Sequence, residues 1–484
     1  MDPTALFFVT CVMAGAAQAA PVPPPAPRAP SAPARAPTTA ATAAPVASAP
    51  TAPLPPIPPS PAVPPAPPAS HVLSLAQATE TALTNQPLLR QAQAQISAAE
   101  ARADIARAPL LPQVNANATY SRSSANFVAR RGALPSSLAT SGPPPSFNSY
   151  DFWNFGITAS QTIYDFGQAR GRWHAAEATA EAQHETARAS RLSTVLNVRT
   201  AYFQARAQKS LSLVSRETLA NQERHLEQIK GFVELGARPA IDLAQARTDV
   251  ANAKVQVITT ENAYATAKAQ LNLAMGAPQP TDYDVADETL APLGEEDQAL
   301  DALVQIAIGA RPELVALNKQ VLAQELQLRA IQGAYGPTLG ASAGLTEAGP
   351  QLDAMRWNWS ASVSLNWNIF QGMLVPAQVR EAESNLLAIR AQRDVIDQQL
   401  RLEVEQARLA VRSTKGTLLA VEEALVNSRE RLRLAEGRYQ TGAGSVIELA
   451  DAQIATASAA AQRVAADYSL ASARAQLLKA LGRE

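Results

Sequence analysis

Residues 357–369 read Trp357-Asn358-Trp359-Ser360-Ala361-Ser362-Val363-Ser364-Leu365-Asn366-Trp367-Asn368-Ile369. Every odd position is apolar and every even one is Asn or Ser. Successive side chains of a strand point to opposite faces, so this pattern predicts a strand with one apolar and one polar face. A weaker version lies at about 153–163, where Trp153, Phe155, Ile157, Ala159 and Ile163 alternate with Asn154, Gly156, Thr158, Ser160 and Thr162. Two fainter strands precede these, at about 113–121 (Val114, Ala116, Ala118, Tyr120) and 338–346 (Leu339, Ala341, Ala343, Leu345). About ten residues of alternation with aromatic ends suit a strand with lipid on one side and water on the other. Trp153, Phe155, Trp357, Trp359 and Trp367 are then the lipid-facing aromatics, near an interfacial belt. Alternation alone equally suits a soluble amphipathic sheet. In lipid, four strands cannot close a barrel and an open edge is not tolerated. Copies of the chain must share the sheet: two would supply 8 strands and three would supply 12.

The flanking sequence is a tandem repeat. Asn85-Gln86-Pro87-Leu88 resembles Ala310-Arg311-Pro312-Glu313, and Pro112 and Pro337 keep the same offset of 225. Further on the offset is 206. Ile163-Tyr164 matches Ile369-Phe370, and Gly231, Gly236, Ile241, Leu243 and Ala246 match Gly437, Gly442, Ile447, Leu449 and Ala452. The first repeat therefore has 19 extra residues between Pro112 and Ile163. The repeats span 72–280 and 298–484, joined by an acidic linker at 281–297. Each begins with one helix (about 74–108, or 298–335) that ends at a proline. Two strands follow, then a helical segment from Gly167 to Leu235 or from Gly372 to Gln440, about 100 Å long at 1.5 Å per residue. The turns Gly236-Ala237-Arg238-Pro239 and Gly442-Ala443-Gly444-Ser445 lead into return helices, completing hairpins at 167–275 and 372–481. Leu219, Leu226 and Val233, and Leu418, Leu425, Leu432 and Tyr439, recur every seven residues, which predicts antiparallel coiled-coil legs.

The N-terminus predicts export. An apolar stretch runs from Ala5 to Ala17, and Ala17-Gln18-Ala19 is a small-x-small cleavage pattern, so 1–19 reads as a signal peptide. Residues 20–71 hold most of the 36 prolines among Ala, Ser and Thr, with little to bury, and read as an extended disordered spacer. The balance of 41 basic and 42 acidic residues argues against a nucleic-acid binder. Cys11 is the only cysteine, which removes disulfides and thiolate metal sites from the rest of the chain. His71, His174, His184 and His225 lack metal-ligand spacing, and no phosphate loop or nucleophile motif is found, so neither an enzyme, a cofactor nor a metal is expected.

Taken together, the duplicated Asn85-Gln86-Pro87 helix, Leu111-Pro112, Ile163-Tyr164-Asp165-Phe166-Gly167 and the two Gly turns resemble the TolC-like outer membrane efflux family over residues 72–484. The resemblance implies a mainly α fold with a small β part. Long antiparallel coiled-coil helices would form a periplasmic α-barrel, and four strands per chain a trimeric 12-stranded transmembrane β-barrel. It implies a passive exit duct in the outer membrane of a Gram-negative-type cell, serving a tripartite efflux or type I secretion system. Its partners would be two further copies of the chain, outer membrane lipid, a periplasmic adaptor at the tip turns and an inner-membrane pump of RND, ABC or MFS type. The family's periplasmic end is gated. Glu448 and Asp451 match an acidic pair that rings the entrance, Asp242 an acid that helps to latch it, and Tyr439 a latch partner. The basic latch partner is missing, because Gly444 stands in its place, and Arg238 and Arg438 are the candidates to replace it. The alternative is a non-conducting, envelope-tethered coiled-coil structural protein.

Overall fold

Ser74 starts the first helix with a reciprocal cap: its Oγ accepts from the Gln77 N–H at 3.2 Å, while Gln77 Oε1 accepts from the Ser74 N–H at 3.1 Å. The computed structural model describes residues 71–124, 147, 149–236, 238–278 and 280–484. The signal peptide, Cys11, the spacer up to residue 70 and Ala237 lie outside the described residues.

The first helix of each repeat was expected to be continuous, and it is two helices. Leu75–Asn85 (α1) stops and Pro87–Arg107 (α2) restarts; Leu300–Ala310 (α5) and Pro312–Gln332 (α6) repeat the break. The residues before the prolines, Gln86 (ψ 120°) and Arg311 (ψ 115°), are extended. Proline disfavours the α conformation in the residue ahead of it but is well suited to the first helical position. The breaks are seats for the ends of the return helices. A Cβ on Gly276 would lie 2.8 Å from Gln86 Cα, and one on Gly482 would lie 2.8 Å from the Ala310 carbonyl carbon. Gln86 Nε2 also donates to the Ala274 carbonyl at 2.9 Å.

Short 3-10 turns at Ala108–Leu110 and Gly333–Tyr335 lead into the strands. Two three-residue strands, His71–Leu73 (β1) and Tyr283–Val285 (β4), pair in parallel. The main sheet holds Gln113–Ser124 (β2), Ser149–Tyr164 (β3), Thr338–Gly349 (β5) and Arg356–Asn366 (β6), antiparallel in the order β2-β3-β5-β6. The first three strands run longer than their alternation suggested. The fourth is shorter: Trp367 lies beyond β6, where its indole N–H donates to the Tyr335 carbonyl at 3.1 Å. Register puts like with like. Ala116, Ile157, Leu345 and Trp359 face each other across the four strands, and Asn115, Thr158, Gly344 and Ser360 form the next row on the opposite face.

The chain leaves the sheet through two left-handed residues in each repeat, Phe166-Gly167 (φ 53° and 84°) and Gly372-Met373 (φ 61° and 66°). The long helices follow, Gln168–Glu234 (α3) and Leu374–Gln440 (α7), each of 67 residues. Ala240–Met275 (α4) and Val446–Ala480 (α8) return. Contacts of α3 with α4 and α8, and of α7 with α8, set these legs side by side in the order α4-α3-α8-α7. Much of the buried surface between helices is Ala, which permits close approach.

The acidic linker between the repeats is a strap packed on both hairpins. Lys209 Nζ lies 2.6 Å from Asp284 and Lys268 Nζ lies 2.7 Å from the Thr281 carbonyl. At the offset of 206, Lys415 Nζ lies 2.7 Å from Glu296 Oε2 and Arg474 Nε 2.7 Å from Glu296 Oε1. Each hairpin thus supplies one cation from each leg. Arg206 adds a bridge from Asp287 of the strap (2.6 Å) to Asp467 of α8 (2.8 Å). Beneath β1 and β4 lies a core of Tyr202, Phe203, Leu271 and Val285, with the Tyr202 hydroxyl donating to the Ala286 carbonyl at 3.1 Å.

Candidate functional site

The tips of the two hairpins meet. Gly236 (φ 69°) and Gly442 (φ 75°) take the left-handed conformation that ends α3 and α7. The Ala443 and Gly444 N–H groups both donate to the Arg438 carbonyl, at 3.0 and 2.9 Å. Ser445 then caps α8, its Oγ accepting from the Glu448 N–H at 3.1 Å. Gly444 is buried against this turn, where an added Cβ would lie 3.0 Å from the Tyr439 backbone nitrogen. The turn therefore leaves little room for a longer residue at 444.

Between the tips lies a small core of Ile229, Ala246, Ala435, Leu449 and Ala452 around Tyr439, which is 3% exposed. Its ring meets His225 edge-on at 5.3 Å and Phe232 at 6.5 Å. The Arg238 guanidinium lies over the Tyr439 ring, 4.7 Å from its centre, and Arg238 Nη2 points to the Gly444 carbonyl at 3.5 Å. A cation over an aromatic face is attracted to its negative quadrupole. The Tyr439 hydroxyl is buried without a hydrogen-bond partner among the described residues. Burial raises its pKa; the Arg238 charge acts in the opposite sense and the Asp242 charge in the same sense. Asp242 is 8% exposed at the start of α4. Burial lowers the pKa of His225, which the side chain of Gln228 and the Asp249 charge partly oppose.

Of the residues singled out by sequence, Tyr439, Asp242, Arg238 and Gly444 come together. Glu448 and Asp451 do not act as an equivalent pair. Glu448 Oε1 accepts from Arg438 Nη1 at 2.6 Å across the turn, while Asp451 is exposed and forms no ion pair among the described residues. The two candidate arginines have divided the work, Arg238 crossing between hairpins and Arg438 staying within one. Sequence reasoning missed His225 and Phe232. With Ile229 they follow an i, i+4, i+7 pattern along one face of α3, which is the signal that would have found them.

On the sheet, Trp357 and Trp359 project from the apolar face, Trp153 packs against Tyr120 with the rings tilted by 42° and their centres 4.6 Å apart, and Phe155 is half-exposed. No described helix is long and apolar enough to cross a membrane, and the described residues contain no His, Cys, Asp and Glu cluster suited to a metal.

This architecture has known counterparts. The chain is 28% identical over 418 residues to the probable efflux pump outer membrane protein SepC of Pseudomonas putida, covering 83% of this chain and 82% of that protein. Among solved structures it superposes on the outer membrane protein VceC of Vibrio cholerae (TM-score 0.73, 19% identity, 84% of this chain and 96% of that one). It likewise superposes on the outer membrane channel CmeC of Campylobacter jejuni (TM-score 0.72, 19% identity, 84% and 85%). The model of the outer membrane efflux proteins matches residues 78–277 and 303–483, one stretch in each repeat. Matched along most of its length, the chain belongs to the outer membrane efflux protein family.

Proposed function

We propose that three copies of the chain close the main sheet into one 12-stranded barrel and their helices into a tunnel, forming the passive exit duct of a tripartite efflux system. The observation that carries this reading is the sheet itself. Its outer strands β2 and β6 have no partner on one side among the described residues, and its apolar face exposes Trp357, Trp359, Val363 and Leu365. Such edges and such a face are satisfied together when copies close a ring in lipid. The outermost helices support the same ring. Exposed apolar residues line α4 (Ile241, Val255, Ile258) and α7 (Val395, Leu402, Leu409). An α7-to-α4 contact between neighbours is heterologous, so it repeats around an axis until it closes.

On this reading Trp153, Phe155, Trp357 and Trp359 meet lipid, with Trp367 below them at the sheet's helical end. The Tyr439, Arg238 and Asp242 cluster holds the tips closed, and Asp451 supplies the free carboxylate at the entrance. The turns 236–238 and 442–445 receive a periplasmic adaptor, and an inner-membrane pump of RND, ABC or MFS type drives transport. SepC is named as a probable efflux pump outer membrane protein, which supports an efflux system as the one this duct serves. The test is the native mass in mild detergent. Three chains of 51.0 kDa, less a signal peptide, give about 150 kDa after correction for detergent. A monomer, or release from membranes by salt alone, would overturn the reading.

A further inference from the structure

The two faces of the main sheet differ in where they keep their charges. Register places Arg122, Asp151 and Glu347 on the aromatic face. There Arg122 pairs with Asp151 at 3.7 Å, and Glu347 stands in the row of Phe155 and Trp357. The other face is built of Asn, Gln, Ser, Thr and Gly along most of its height. Among the described strand residues its one charged side chain is Arg356, in the row of Thr119, Asn154 and Ala348. Arg356 opens β6 at the end of the sheet remote from the helices, is exposed, and makes no ion pair with another described residue.

We propose that Arg356 is the specificity-determining residue of the exit barrel, a ring of three guanidinium groups at the outer end of strands whose lumen face is otherwise uncharged among the described residues, favouring anionic over cationic solutes. This rests on the trimeric reading above, in which the aromatic face meets lipid and the hydroxyl and amide face lines the lumen. A neutral lining of short polar side chains solvates both signs of charge alike, so it adds no discrimination of its own. Rings of fixed charge are what sort ions in a wide aqueous pore, and guanidinium stays charged at any physiological pH. The sign is opposite to that of Asp451 at the tip, so charge would be sorted twice along the path, and in opposite senses.

The test reads the potential beside Arg356 without depending on the tip. In the full chain with Cys11→Ser, Asn358→Cys places a thiol on the lumen face two residues from Arg356, and Val363→Cys places one on the aromatic face. Membrane-impermeant anionic and cationic thiosulfonates are applied from outside to the protein in lipid vesicles. Asn358→Cys should react and Val363→Cys should not. Adding Arg356→Glu should lower the anionic-to-cationic rate ratio at Asn358→Cys by about tenfold in 10 mM salt. The effect should be much smaller in 0.15 M salt, because the screening length falls from about 30 Å to about 8 Å. An unchanged ratio in 10 mM salt overturns the role of Arg356 while leaving the barrel intact. Reaction at Val363→Cys but not at Asn358→Cys also overturns it, by putting Arg356 on the lipid side. Failure of the parent protein to form a detergent-stable oligomer overturns the barrel and this inference together.

Discussion

The Arg238 guanidinium sits over the Tyr439 ring at 4.7 Å, joining the tip turn of the first repeat to the last turn of α7 in the second. Few other polar contacts bind the two tips; the rest of the join is apolar packing.

Arg238→Ala should therefore loosen the tips. A partly desolvated cation–π contact contributes about 1–2 kcal/mol, so on the proposed reading, in which these tips close a duct, the fraction of open channels should rise roughly tenfold. Single-channel recording in planar bilayers measures it; an unchanged open fraction would place the closing force elsewhere. Tyr439→Phe should behave differently. It keeps the ring under Arg238 and removes a buried hydroxyl that has no partner, so the closed state should be unchanged or slightly firmer.

Acid should open the same seam. His225 is buried with its pKa depressed below the ordinary 6.5. The unfolded or separated chain then takes up a proton before the packed seam does, so His225 favours packing above about pH 6.5. That contribution falls as pH drops through 6.5 towards the depressed value. Limited proteolysis of the tips should be faster at pH 5 than at pH 7.5 in the wild type, and the difference should shrink in His225→Phe.

Glu296 is 2% exposed and is held between Arg474 and Lys415. Burial alone would raise its pKa, but the Leu293 N–H, Lys415 and Arg474 together hold it below the usual carboxylate range. Glu296→Ala removes the buried carboxylate shared by Lys415 of α7 and Arg474 of α8. Because Arg474 keeps the Leu290 carbonyl at 2.8 Å and Lys415 keeps Asp297 at 3.9 Å, the cost should be about 2–3 kcal/mol, below that of orphaning a fully buried charge. A fall in the thermal midpoint in detergent measures it. The double variant Glu296→Ala with Lys415→Met should recover part of the loss; no recovery would argue that the pair is not coupled.

Gly276 and Gly482 test the duplicated seats at the helix breaks. Both have positive φ and backbone atoms 2.8 Å from any added Cβ, so alanine at either should destabilise by more than about 1 kcal/mol. Gly231→Ala is the control. Its Cβ would meet nothing within 4 Å inside α3, and helix propensity predicts a gain of up to about 1 kcal/mol. Parallel thermal melts decide between these signs.

Much of this fold was legible because its signals are periodic. The alternation from Trp357 marks β6, and the offset of 206 carries one hairpin onto the other. The helix breaks were legible in principle, since Pro87 and Pro312 stand inside helical patterns, but helical periodicity on both sides hid them. β1 and β4 were not legible, because three residues carry no period and their pairing joins segments far apart in the chain. The tip was half legible. Tyr439 and Asp242 stood at recognisable positions, but the neutralisation of Glu448 by Arg438 depends on how tightly the turn closes. The contact of Arg238 with Tyr439 depends on two repeats packing together, and neither carries a local pattern.

The left-handed turns between sheet and helices make the two repeats mechanically unequal. Each turn has one glycine and one residue that pays a conformational penalty of about 1–2 kcal/mol, but the order is reversed: Phe166 precedes its glycine, whereas Met373 follows its own. Phe166 recovers some of that penalty by seating its ring in the notch left by Gly336, so the first junction is braced against the second repeat. Met373 is 65% exposed, against 48% for Phe166. Under a load that draws the helices away from the sheet, the less braced junction at 372–373 should yield first, and the sheet would part from α7 before it parts from α3.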